Sequence, residues 1–234
     1  EVPTPAPAPT GSRDTDASKA RVMEFWQHQR AGMNALKVEN NLTGAGINHL
    51  LPLDWKPDRL TITNNRGVHA PKVAEFATMA ILMLHARMPA LVSHQKARRW
   101  EPEFTPLIAG KTVLIVGVGH MGGAAAEAVR RLGVRVIGLR RTKQPHPAVD
   151  EMVGLDELHR VLPLADYVLV ATPLTSATKG LIGAKELDLM KPGAGIANIG
   201  RAEVIDYDAR CDRLRSGRIG GAMLDVCEPE PLPS

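Results

Sequence analysis

A doubly wound α/β fold, its parallel sheet covered by helices on both faces, is the architecture this 234-residue sequence predicts. Three observations carry the prediction. From residue 112 onward, short apolar runs alternate with amphipathic stretches at helical spacing. Several of the runs are apolar without interruption, as strands buried on both faces must be. The first run passes straight into a glycine-rich turn that opens a helix.

Strands are expected at 112–116, 135–139, 167–171, 195–199 and 222–226, and helices between them at 121–132, 155–161, 184–190 and 207–216. Ahead of these, 71–99 reads as one long helix: Pro71 suits a first helical position, and Val73, Phe76, Ala77, Ala80, Ile81 and Leu84 recur on one face. A bend is expected at Pro89, whose ring clashes with the preceding turn of a helix. Residues 21–66 form a short mixed region with turn signals at Thr43-Gly44-Ala45-Gly46 and Asn64-Asn65-Arg66-Gly67. Residues 1–20 begin with Pro3, Pro5, Pro7 and Pro9 and continue through Gly11-Ser12-Arg13-Asp14, a composition that buries little surface and favours extended chain. The organisation expected is a tail at 1–20, a small partial domain at 21–70 and a large domain at 71–234. With no initial Met and such a beginning, the sequence is expected to be part of a longer chain.

With 44% hydrophobic residues the chain can fill a core, and its charge excludes little by magnitude but something by pattern. The 29 Lys and Arg are interleaved with 25 Asp and Glu, and aromatic residues make up 3%, so no basic, aromatic-studded surface for nucleic acid is expected. The most apolar stretch, 73–92, is interrupted by Glu75, His85, Arg87 and Pro89, against membrane spanning. Two cysteines, Cys211 and Cys227, make no disulfide framework, and no basic-then-apolar leader opens the sequence; a cytoplasmic location is the expectation. No spacing of His, Cys, Asp or Glu reads as a metal site.

Chemistry enters at Leu114-Ile115-Val116-Gly117-Val118-Gly119-His120-Met121-Gly122, a strand followed by G-x-G-x-x-G and the alanine-rich start of a helix. In a Rossmann-type turn the first glycine permits the tight reversal, the second lets a pyrophosphate approach the backbone, and the third lets the helix pack on the strand, with the helix N-terminus facing the anion. Gly117, Gly119 and Gly122 take those roles, and His120 and Met121 between them join the cofactor-facing set. About 20 residues further on, sites for NAD carry an acid that binds the adenosine ribose. Here the second strand ends in Arg140, Arg141 and Thr142. Guanidiniums form paired, charge-assisted hydrogen bonds with phosphate oxygens, so NADP is the expected cofactor, with NAD as the alternative.

These residues, with those that follow, resemble the D-isomer-specific 2-hydroxyacid dehydrogenases, in particular their glyoxylate and hydroxypyruvate reductase branch. The resemblance runs from about Leu36 to Pro233. Thr43-Gly44-Ala45-Gly46 is similar to the family's substrate loop, which implies that Gly44, Ala45 and Gly46 hold the substrate carboxylate. Thr172-Pro173-Leu174-Thr175 with Thr178 resembles the strand-end loop beside the cofactor, which implies contacts from Thr172, Pro173 and Thr178. Asn198-Ile199-Gly200-Arg201 with Asp206 is similar to the family's Asn-x-x-Arg-Gly segment, although Ala202 stands where Gly is usual; Arg201 is implied as catalytic and substrate-binding, with Ile199 and Gly200 at the cofactor. Leu224-Asp225-Val226-Cys227-Glu228-Pro229-Glu230-Pro231-Leu232 resembles the family's Leu-Asp-Val-Phe-x-x-Glu-Pro-Leu box, which implies Asp225 at the nicotinamide and Glu230 as partner of a catalytic histidine. That histidine follows the box in the family, whereas the eight histidines here all precede Glu230.

The resemblance implies a flavodoxin-like substrate domain ahead of the dinucleotide domain, a homodimer formed through the long helix, and reduction of a small 2-keto acid to the D-2-hydroxy acid. The chemistry independently asks for such residues. A fixed guanidinium binds a carboxylate and stabilises the charge that grows on a carbonyl oxygen, and a histidine raised by a carboxylate returns the proton. A rival reading is an inactive, nucleotide-sensing corepressor of the same family. A short-chain dehydrogenase is set aside because Tyr167 and Tyr207 are followed four residues later by Ala171 and Cys211, where lysine is required.

Overall fold

The computed structural model describes the backbone of 39–42 and 61–64 and the whole of residues 67–229. The chain divides into two compact units, 1–43 with 50–64, and 44–49 with 65–234. In the first, β1 (Glu39–Leu42) and β2 (Thr61–Asn64) pair in parallel, with Glu39 opposite Thr61 and Leu42 opposite Asn64.

The second unit is built on six parallel strands: β3 (Thr112–Val116), β4 (Arg135–Leu139), β5 (Glu151–Val153), β6 (Tyr167–Val170), β7 (Gly195–Asn198) and β8 (Gly221–Leu224). Their order across the sheet is β5-β4-β3-β6-β7-β8, so the direction of winding reverses between β3 and β6. The five predicted strands are all present within one or two residues, and β5 is an addition. Glu151-Met152-Val153 is too short and too mixed for periodicity to reveal, and it pairs on one side only, with β4.

Each strand serves two cores because successive side chains point to opposite faces. On one face Leu114, Val116, Ile137, Val168 and Ile196 pack with Leu158, Leu187, Met190 and Val204. On the other, Val113, Ile115, Val136 and Leu169 meet Ala77, Ala80, Ile81, Ala125 and Ala126. The first face is covered by α4 (Leu158–Val161), α5 (Ala184–Leu189) and α6 (Tyr207–Arg215), and the second by α1 (Ala70–His85) and α3 (His120–Arg130). The alanines on α1 and α3 let those two helices pack against each other.

The long helix differs from expectation in where it breaks. It ends at His85, and α2 (Met88–Lys96) starts a new axis bent by 63°. The turn is made by Arg87 in the left-handed region (φ 55), while Pro89 sits in the first turn of α2, where no amide is needed. The reason is steric: a Pro89 ring in a continuous helix would strike the carbonyl four residues earlier, at His85, so α1 stops there. His85 then fastens the junction, its Nδ1 2.8 Å from the Tyr167 hydroxyl on β6 and its Nε2 2.7 Å from the carbonyl of Pro106. No helix among the described residues is by itself long and apolar enough to cross a membrane.

Candidate functional site

Strand register brings the candidate residues to one rim. Val116 lies opposite Leu139 on β4 and Val170 on β6; Val170 lies opposite Asn198, and Asn198 opposite Leu224. The residues that follow these strand ends are Gly117, Arg140, Ala171 and then Thr172, Ile199 and Asp225. Gly117 and Thr172 flank the point where the winding reverses, the usual place for a ligand on an open α/β sheet, and Arg140, Ile199 and Asp225 follow the strands to either side.

The three glycines of the turn are constrained differently. Gly117 has φ +104, and a Cβ there would lie 2.7 Å from the Thr172 methyl. Gly122 could carry no side chain in place, because its Cβ would lie 2.0 Å from the Gly117 carbonyl oxygen. Gly119 faces open space, with nothing within 4 Å of a Cβ. It is the N-cap of α3, no side chain caps that helix, and no acid stands in its first turn. The first-turn amides of His120, Met121 and Gly122 are therefore available to an external anion. His120 is exposed, Met121 half-buried. Beside the turn, Thr172 is buried and its hydroxyl oxygen has no partner. An uncapped helix start, a bare Gly119 and an orphaned hydroxyl fit a dinucleotide phosphate.

Past β4, Arg140 is half-buried, and Arg141 and Thr142 are exposed. Arg140 donates to the carbonyl and to Oε1 of Gln144, at 3.4 and 3.1 Å. Neither arginine has an acidic partner among the described residues. The neighbouring Lys143 does, donating to Glu157 at 3.0 Å and Asp156 at 3.4 Å. Hydrogen bonds from Lys143, then the Gly154 amide and Arg160, pull the Glu157 carboxyl down to about 2.

The loop after β6 is held from within. Thr178 donates to the Pro173 carbonyl at 2.7 Å and accepts from the Thr175 amide at 2.8 Å, so its hydroxyl shapes the loop, while Pro173 is exposed at the rim. After β7, the fully buried Asn198 accepts from the Gly200 amide at 3.0 Å and donates to the Arg201 carbonyl at 2.9 Å. Gly200 is needed there because a Cβ would lie 2.5 Å from the Thr172 carbonyl oxygen. Arg201 is thus presented on a fixed turn, exposed, with Nη1 donating to the Gly200 carbonyl at 2.8 Å. Asp225 is exposed past β8, its amide donating to the Asn198 carbonyl at 2.9 Å.

The structure therefore brings Gly117, Gly119, Gly122, Arg140, Thr172, Gly200, Arg201 and Asp225 to one edge of the sheet. Gly44, Ala45, Gly46 and Glu230 lie outside the described residues. Sequence reasoning passed over Asn198 as a building element and Gln144 altogether. The signal for Asn198 was a polar residue ending an apolar strand; Gln144 gave none. Among the described residues, no group of three His, Cys, Asp or Glu is arranged to hold a metal ion.

Comparison with known proteins agrees with this geometry. Residues 78–234 match the D-isomer specific 2-hydroxyacid dehydrogenase, NAD binding domain. A glyoxylate reductase of Thermococcus gammatolerans is 34% identical over 179 residues, covering 73% of this chain and 54% of the relative. The human glyoxylate reductase/hydroxypyruvate reductase is 31% identical, covering 87% of this chain and 63% of the relative. The crystal structure of an NADPH-dependent glyoxylate/hydroxypyruvate reductase from Sinorhizobium meliloti, in complex with NADP and sulfate, superimposes with a TM-score of 0.75 at 30% identity, over 85% of this chain and 64% of that one. The chain thus spans between half and two thirds of the length of these relatives. With the family's domain matched over two thirds of its residues and the Rossmann sheet reproduced, the chain belongs to the D-isomer specific 2-hydroxyacid dehydrogenase family.

Proposed function

We propose that the protein is an oxidoreductase that reduces a small 2-keto acid of the glyoxylate or hydroxypyruvate type to the D-2-hydroxy acid, with NADPH preferred over NADH. The observation that carries this reading is the single rim on which an uncapped glycine turn, the acid-free pair Arg140 and Arg141, and the Asn198-locked Arg201 stand together. Bound nicotinamide supplies the hydride. The chain's own residues do the rest. Amides of His120, Met121 and Gly122 hold the diphosphate; Arg140, Arg141 and Thr142 take the 2′-phosphate; and Thr172, Pro173, Ile199, Gly200 and Asp225 border the nicotinamide side. Thr178 acts by shaping the loop that carries Thr172 and Pro173.

Arg201 binds the substrate carboxylate and steadies negative charge on the carbonyl oxygen, a role suited to an exposed guanidinium that donates from Nη1 to the Gly200 carbonyl. Gly44, Ala45 and Gly46 are proposed for the same carboxylate, and Glu230 for the partner of the proton-donating histidine. Two further features belong to the proposal. Both cysteines are free, in keeping with a reducing cytoplasm. A homodimer through α1, α2 and the segment after them is supported by Trp100, Phe104 and Leu107, which are 92%, 91% and 86% exposed, and by the exposed Met79, Leu82 and Val92 of the two helices.

The test is NADPH consumption by the complete protein with glyoxylate and hydroxypyruvate, in wild type and Arg201→Lys. The substitution should cut kcat/KM roughly 100- to 1,000-fold while leaving NADPH affinity intact. Undiminished turnover in Arg201→Lys, or no turnover of either keto acid by wild type, would overturn the reading.

A further inference from the structure

Gly123, directly after the third motif glycine, is not required by the dinucleotide turn, yet it is buried and could not be alanine without displacement. What occupies its missing side chain is His146, whose Nε2 lies 2.8 Å from the position of a Cβ. His146 belongs to the loop that leaves β4 through Arg140 and Arg141. That loop reverses at Lys143, which is left-handed at φ 50, and is tied by Lys143 to Glu157 and Asp156. Within it, Gln144 holds the Arg140 guanidinium, and His146 closes the far end, its Nδ1 accepting from the Ala148 amide at 3.2 Å. His146 also faces Glu127 of α3, at 3.9 Å from Nε2. The loop bearing the arginines is therefore seated on the first turn of the same helix whose amides face the diphosphate.

We infer that Gln144 and His146 are positioning residues that preset the 140–149 loop as a grip for the adenosine 2′-phosphate, Gln144 by holding Arg140 without neutralising it and His146 by docking on Gly123. The inference rests on the NADPH reading above. Two physical points support it. A glutamine oxygen orients a guanidinium yet leaves its charge for a phosphate, whereas a carboxylate at the same place would compete with that phosphate. A ring seated on bare helix backbone fixes the distance between the arginines and the diphosphate amides, so less ordering remains to be done when the nucleotide arrives.

The test is titration of the full chain with NADPH and with NADH, followed by nucleotide fluorescence, in five variants. Gln144→Glu should weaken NADPH about tenfold or more and leave NADH within about twofold. His146→Ala should lower the NADPH/NADH ratio in the same way, and Gly123→Ala should reproduce it by evicting the ring. The double variant Gly123→Ala/His146→Ala should be no worse than His146→Ala alone, because the two changes act through one contact. His146→Asn, which keeps an acceptor for the Ala148 amide, should recover part of the ratio. If wild type binds both nucleotides equally, the NADPH reading itself falls. If wild type prefers NADPH and that ratio survives both Gln144→Glu and His146→Ala, or if the two single losses at Gly123 and His146 simply add, this inference is wrong and the loop is only a connection.

Discussion

Alanine at Gly122 and alanine at Gly119 should fail in opposite ways, and the contrast tests the reading of the turn more sharply than either change alone. At Gly122 the new methyl would lie 2.0 Å from the Gly117 oxygen, 2.9 Å from the Gly117 carbonyl carbon and 3.3 Å from the Ile115 side chain. Ordinary contact begins at 3.4 Å, so helix and turn must part by about 1.4 Å. The obstacle is backbone and cannot swing aside. Overpacking of this kind costs about 1–3 kcal/mol, and the better helix propensity of alanine returns up to about 1 kcal/mol, leaving a net loss of about 2 kcal/mol at the upper end. For a chain of this length that lowers Tm by about 4–8 °C. Parting the turn also moves the first-turn amides; losing one charge-assisted hydrogen bond of about 1.5–3 kcal/mol weakens nucleotide binding by roughly 10- to 100-fold.

At Gly119 the backbone is extended (φ −99) and nothing lies within 4 Å of the new methyl, so stability should hold within about 0.5 kcal/mol. The methyl would nevertheless stand where a diphosphate has to approach, and NADPH and NADH should both be lost. Thermal melts without ligand, paired with fluorescence titration of each nucleotide, read the two effects separately. Wild-type nucleotide affinity in Gly119→Ala would refute the assignment of that open face to the diphosphate. A Gly122→Ala protein melting with wild type would refute the packing argument.

Asn198→Ala leaves the Gly200 amide and the Arg201 carbonyl without their partner; denaturant unfolding should show a loss of about 1–3 kcal/mol, and keto-acid turnover should fall more than NADPH binding because Arg201 is no longer held. Glu157, pulled down to about 2 by Lys143 first, stabilises the fold at and above its ordinary value near 4.5, and that contribution disappears as pH falls through about 2. Carboxyl NMR titration should find the low midpoint, and Glu157→Gln should remove its share of the acid loss; a midpoint near 4.5 would refute the three-donor picture. Replacing Trp100 and Phe104 together by serine should shift the mass measured by light scattering from dimer to monomer, with little change in Tm, and an unchanged mass would remove the proposed interface.

Much of this fold was legible because its strands are buried on both faces and its turn is glycine-rich, two conditions that leave a mark on local sequence. β3, with all five residues buried, could hardly read otherwise. β5 left no mark, since a three-residue edge strand with two half-buried positions has no period to detect. The helix break illustrates the limit on breakers: Pro89 announced it correctly, but the ring acts on the carbonyl four residues back, so the chain turned at Arg87. For the site, glycines dictated by φ or by close approach were readable, such as Gly117 and Gly122, and Arg201 could be singled out for the role proposed above by its residue type. Gln144 and His146 were not, because their roles depend on a contact with Arg140 and a contact across to α3, and neither glutamine nor histidine in a loop has a characteristic spacing.

The charges at the rim make the last connection between sequence and chemistry. On the flanks of the sheet, three arginines find acids: Arg130 meets Asp150 at 2.6 Å, Arg135 meets Glu151 at 2.6 Å, and Arg213 meets Asp188 at 2.7 Å. These exposed pairs add little stability each, but they neutralise charge. Arg140 and Arg201 are held instead by uncharged oxygens, the first by the carbonyl and Oε1 of Gln144 and the second by the Gly200 carbonyl. A carbonyl or amide oxygen restricts where a guanidinium points without reducing its field, whereas a carboxylate would do both. Orientation without neutralisation suits the binding role proposed for Arg140 and Arg201, but Arg218, ahead of β8, is also held by carbonyls, those of Asp188 and Met190, so an uncharged partner becomes informative only together with a place at the rim.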